Sequence, residues 1–117
     1  PGEWFVHQSG CCEDVEGALA LDVFFELAGV EKWLPHRDAI VHILLKTGFE
    51  LTEDFPIQSL VMPSNVLAYR YNISPENMAR IEEDLAKTCI NRPDIYQKTS
   101  EGFALNFPYR VFACRAV

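Results

Sequence analysis

The sequence predicts an α+β fold: a single-domain two-layer sandwich, an antiparallel sheet of about four strands with three helices, in the order β-α-α-β-α-β-β. Three observations predict it. Strand-like runs rich in aromatic and β-branched residues stand near both ends of the chain. Three internal stretches carry helix start and stop residues. A Glu101-Gly102 pair then separates two strand-like runs as a hairpin turn would. At 117 residues and 49% hydrophobic content, residues 1–117 are expected to form one α+β domain around one core.

Residues 3–8 read as a short strand, with Trp4 and Val6 on one face and Phe5 and His7 on the other. A polar turn, Ser9-Gly10-Cys11-Cys12-Glu13, leads to Asp14 as N-cap. The first helix then runs to Ala28, and Gly29 stops it at the position that favours a left-handed residue. Its apolar stripe, which includes Leu21, Phe24, Phe25 and Leu27, is wider than one core-facing side needs. A second helix is expected from Pro35 to just before Gly48. Its run Ala39-Ile40-Val41-His42-Ile43-Leu44-Leu45 is apolar almost all round, which implies cover on most of its circumference.

Residues 49–64 look irregular, and residues 65–73 return to strand chemistry through Val66, Leu67, Tyr69 and Tyr71. Ser74-Pro75-Glu76 supplies a cap serine, a first-turn proline and an early acid, so a third helix is expected to about Cys89. Residues 95–100 and 103–107 form the hairpin. Pro108 is expected to break or bulge the second arm, and residues 109–116 form the last strand.

The formal net charge of −7 argues against nucleic acid, which requires a basic stripe. It equally disfavours an anionic membrane surface, and no apolar run is long enough to span a bilayer. The chain begins at Pro1 without an initiator methionine or a leader-like stretch, which fits either a processed or a trimmed terminus.

The cysteines are the most discriminating residues. Cys11 and Cys12 are adjacent, and the others are Cys89 and Cys114. Two disulfides joining the vicinal pair to Cys89 and Cys114, in either order, would tie the first turn to the C-terminal half of the chain. That pairing would place the protein in an oxidising, secreted setting; four reduced thiols would place it in the cytoplasm. A metal reading combines His7, Cys11 and Cys12 with His36 or His42, although adjacent thiolates serve one ion poorly. A reactive thiol at Cys12 has the helix start in its favour and the neighbouring Glu13 and Asp14 against it. His36-Arg37-Asp38 matches three letters of a kinase catalytic loop but lacks every other part of that signature.

With no complete catalytic signature, the expected function is a non-enzymatic protein-interaction module: a small subunit, an inhibitor or immunity-type protein, or a secreted effector. It would act through an apolar helical surface, with Trp33, Phe24 and Phe25 as interface anchors. The expected partner is another protein subunit or a second copy of the chain, with no catalytic residue, cofactor or metal. One alternative is a small-molecule pocket or small enzyme, lined by Phe24, Phe25, Tyr69, Tyr71, Phe107 and Tyr109 with His42 or Arg70 as polar anchor. The other is thiol or metal chemistry at Cys11-Cys12.

Overall fold

The structure, a computed structural model, describes residues 2–32 and 34–117. The chain order is β1 (Trp4–Gly10), α1 (Val15–Ala28), α2 (Arg37–Lys46), β2 (Phe49–Pro63), α3 (Ser64–Arg70), α4 (Pro75–Thr88), β3 (Tyr96–Thr99) and β4 (Gly102–Ala116). The α+β class and the four-stranded antiparallel sheet are as the sequence predicts. Four helices rather than three stand among the described residues.

The local chemistry accounts for the helix ends. Asp14 Oδ1 accepts from the Gly17 amide at 2.7 Å, and Gly29 takes φ 72° to close α1. Ser74 Oγ accepts from Asn77 at the start of α4. The Asn77 side chain in turn donates to the Leu27 carbonyl at 2.8 Å, fastening α4 to the end of α1.

Two assignments need correction. Residues 49–64, expected to be irregular, form the long strand β2. Residues 65–73, expected to be a strand, hold the helix α3, of which only Leu67 is fully buried. The stop signal for α3 is Asn72, which adopts φ 53° and lets the Ile73 amide reach the Ala68 carbonyl at 2.9 Å. Strand propensity in Val66, Tyr69 and Tyr71 loses to that closure, because two of those side chains, Val66 and Tyr69, face water rather than a neighbouring strand.

Strand β4 is the centre of the sheet. It pairs with β2 along its whole length on one side, and with β1 and β3 in succession on the other. Its alternate residues serve two cores. Phe103, Leu105 and Phe107 pack with residues of α1, α3 and α4, whereas Phe112 and Cys114 pack with Ile40 and Leu44 of α2. Helix α2 therefore covers the opposite face from the other helices. Only Ile40 and Leu44 of α2 are buried, and His42, Ile43 and Leu45 are exposed.

Pro108 does not end β4. The ladder accommodates it by being interrupted on both sides at that point. On one side the register slips between Ile57 and Leu60, so that Gln58 and Ser59 stand opposite the single residue Pro108. On the other side β1 ends at the Gly10–Tyr109 pair and β3 begins at Leu105. A residue with no N–H is tolerated where no partner needs one. The molecule is elongated, 53 × 25 × 20 Å with a radius of gyration of 16.2 Å. A compact domain of this size would have about 13 Å.

Candidate functional site

The gap at Pro108 opens a cavity of about 220 Å³. Its walls come from the start of α1 (Gly17), the bulge of β2 (Ile57, Ser59), the loop before β3 (Arg92, Asp94) and β4 (Asn106, Tyr109), with Cys12 and Glu13 at the turn after β1. Gly17 lets these walls approach closely. A Cβ there would lie 3.1 Å from Arg92 Nη2, Asp14 Oδ1 and Ile95 Cδ1 at once.

Arg92 is fully engaged by carboxylates. Its Nε and Nη2 donate to Asp94 at 3.0 and 2.9 Å, and its Nη1 donates to Asp14 at 3.0 Å. The guanidinium holds the Asp94 carboxyl below its usual range. The Asp14 carboxyl is lowered first by the Gly17 amide and then by Arg92. Asn106 donates through Nδ2 to the Asp94 carbonyl at 2.9 Å, while its Oδ1 is buried and accepts no hydrogen bond. An orphaned acceptor of this kind is uncommon in a folded protein and marks a place for a donor.

Next to the cavity lies a second charged group. Arg37 grips Asp54 with two bonds, Nε to Oδ2 at 2.7 Å and Nη2 to Oδ1 at 2.8 Å. Arg110 Nε donates to the same Asp54 Oδ2 at 2.5 Å, and its Nη1 donates to Glu13. Asp54 and Arg110 are only 8% and 11% exposed. Arg37, then Arg110, hold the Asp54 carboxyl down at about 2. This cluster joins α2, β2, β4 and the cysteine turn, and every cation in it has a carboxylate.

Cys11 and Cys12 part company at the turn. Cys11 enters the core under α2 with Cys114, and Cys12 enters the core of α1 and α4 with Cys89. All four cysteines are buried and free, so the bridges expected between the vicinal pair and Cys89 and Cys114 are not formed. Burial pushes the Cys11 thiol up to about 11 and the Cys12 thiol up to about 12, with Cys11, Asp14 and Asp22 adding to the effect at Cys12. The helix start therefore does not activate Cys12, because desolvation outweighs it. Cys12 does meet His36, but through the backbone: its amide donates to the Pro35 carbonyl and its carbonyl accepts from Arg37. Among the described residues no three histidine, cysteine or acidic side chains converge as metal ligands.

Two of the three expected interface anchors lie in the core. Phe24 and Phe25 are 0% and 2% exposed and pack edge-on against each other at 5.3 Å. They offer nothing to a partner. Trp33 lies outside the described residues. The aromatic pocket of the alternative reading is also a packed interior: Tyr71 and Phe107 close on Phe24 and Phe25 at 5.9 to 6.3 Å. Tyr69, Arg70 and His42 are exposed, and Tyr109 alone of that set reaches the Pro108 cavity. Arg92, Asp94, Ser59 and Asn106 were not singled out by sequence reasoning, because residues from three separate segments meet only through the sheet. The one usable signal was a proline inside an otherwise strand-like run.

No known protein family matches the chain, and no curated protein does. Solved structures do match. One is a protein of Bacillus halodurans described as a "putative methyltransferase", with a TM-score of 0.76 and 11% identity over 97% of this chain and 51% of that one. The likeness is one of fold, and this chain spans about half the length of that protein. The match overturns the expectation of a non-enzymatic interaction module. The alternative of a small-molecule pocket or small enzyme is the one it favours.

Proposed function

We propose that this chain is the small-molecule-binding part of an enzyme, with methyl transfer as the reaction class, and that the Pro108 cavity holds an N–H or O–H group of the methyl acceptor. The observation that carries the reading is Asn106, a residue of the cavity wall whose buried Oδ1 accepts no hydrogen bond. The reaction class comes from the fold match alone.

The electrostatics favour a donor over an anion. Arg92 is already bound by Asp94 and Asp14, and Glu13 by Arg110, whereas Asn106 Oδ1 accepts no hydrogen bond. In methyl transfer an acceptor lone pair forms the new bond to carbon, the donor keeps the electron pair of the bond that breaks, and the acceptor's proton passes to water. Asp94 is too weak a base to take that proton readily, since Arg92 holds its carboxyl low. Its role, with Asn106, is to orient the group. At about 220 Å³ the cavity suits a head group rather than a whole drug-sized ligand.

Amide chemical shifts of the labelled protein, titrated with benzylamine and separately with benzoate, test the reading. Benzylamine should shift Gly17, Ile57 and Asn106, and Asn106→Ala should remove the response. A response to benzoate alone, or no response at these amides, overturns it.

A further inference from the structure

The walls of the Pro108 cavity carry more negative charge than positive. Three charged residues line it, Glu13, Arg92 and Asp94, and two of them are acids. The cation among them is neutralised several times over. Besides its two bonds to Asp94, Arg92 meets Asp14 at 3.0 Å and Glu16 at 4.0 Å, so three carboxylates surround one guanidinium. Both oxygens of Asp94 are taken in return, Oδ1 by Arg92 Nε and Oδ2 by Nη2.

Glu13 is held differently. Arg110 Nη1 donates to its Oε1, and Oε2 has no partner among the described residues. Arg110 is itself shared, since its Nε donates to Asp54, which Arg37 grips from α2. Ion pairs thus run from Arg37 through Asp54 and Arg110 to Glu13. The first links are shielded, with Asp54 and Arg110 at 8% and 11% exposed, and the last is a carboxylate that is 59% exposed at the cavity. Glu13 is therefore the acid of this wall with an oxygen to spare. Asn106, in the same wall, has a buried Oδ1 that accepts no hydrogen bond.

We infer that the cavity selects a protonated amine, with Glu13 as its counter-charge and Asn106 Oδ1 as the acceptor of one of its N–H groups. This rests on the reading of the cavity as the seat of an N–H or O–H group of the methyl acceptor, and narrows that group to a cation. A neutral hydroxyl would satisfy Asn106 and leave Glu13 without a partner, and an anion would meet the surplus negative charge. The bound nitrogen is a handle. A protonated amine has no lone pair to give, so the atom that takes the methyl group is a different one in the same molecule.

Amide chemical shifts at Gly17, Ile57 and Asn106 give the affinities of benzylamine, a cation at neutral pH, and of benzyl alcohol, its neutral counterpart. Benzylamine should bind about tenfold more tightly, the margin of a hydrogen bond to a charged group over a neutral one. Glu13→Gln should bring the two within about twofold of each other, and so should about 1 M salt on the unaltered protein, where screening acts over about 3 Å. Equal affinities in the unaltered protein at low salt overturn the inference and leave the reading of a donor group in place. The same preference surviving in a folded Glu13→Gln also overturns it, because the counter-charge would then lie elsewhere. Should Glu13→Gln not fold, a preference that salt leaves unchanged overturns it. No response to either compound at these amides overturns both the inference and the reading on which it rests.

Discussion

Cys11 and Pro108 are joined by a single hydrogen bond, the Cys11 amide donating to the Pro108 carbonyl at 2.9 Å, and that bond is the last rung between β1 and β4. Beyond it β1 leaves the sheet and its chain turns into α1. The opening left behind becomes the cavity lined by Arg92, Asp94 and Asn106. A close approach supports the same turn: a Cβ on Gly10 would lie 2.7 Å from Leu34 Cδ1.

Asp54→Asn should lower stability at neutral pH by about 2 kcal/mol, since the folded carboxyl titrates near 2 and the unfolded one near 3.8. Because the folded value is the lower one, the contribution is complete above about pH 4 and fades as pH falls toward 2. Urea unfolding of both proteins across that range checks it. A constant difference between them down to pH 2 would mean that the Arg37 and Arg110 contacts do not act through charge.

The four thiols should resist alkylation in the native protein at neutral pH, because they are buried and burial holds Cys11 and Cys12 near 11 and 12. Unfolding without reductant should then yield four labels by mass spectrometry, one for each cysteine. Two or fewer labels would show that bridges form in the protein as isolated.

Phe24→Ala should cost about 3 to 5 kcal/mol, the range for removing a buried aromatic ring. Leu19→Ala on the same helix, at an exposed position, should change stability by less than about 0.5 kcal/mol. Equal effects from the two would contradict the orientation of α1.

Gly102→Ala should destabilise the β3–β4 hairpin by about 1 to 3 kcal/mol. Gly102 holds φ 142°, and a Cβ there would sit 2.5 Å from Ser64 Oγ, the group that accepts from the Phe103 amide. Thermal unfolding gives the magnitude, and exchange of the Phe103 amide shows whether the loss is local.

Much of the architecture was legible residue by residue. Asp14 and Gly29 bracket α1, and Ser74-Pro75 opens α4, because caps and left-handed stops act within a few residues of themselves. The failures were at β2 and α3. Glu50, Glu53, Asp54 and Pro56 look unlike a strand until β4 supplies a continuous partner, and Val66 to Tyr71 looks like one until Asn72 closes a helix around them. Propensity is a weak preference, and a full ladder of main-chain bonds outweighs it.

The site was less legible than the fold. Cys11-Cys12 drew attention as the rarest pattern, yet the structure sends the pair into two cores and buries both. Arg92, Asp94 and Asn106 carry no motif, and they become neighbours only because β4 runs past the loop before β3.

Local chemistry alone determined the class of the fold and the caps of α1 and α4, since caps and periodicity need no distant partner. Tertiary structure decided which face each helix covers, where Asp54 finds its two arginines, and that Pro108 opens a cavity rather than ending a strand. Those outcomes depend on register between segments far apart in the chain, and register is set by packing and hydrogen bonding across the whole sheet rather than by the residues of any one strand.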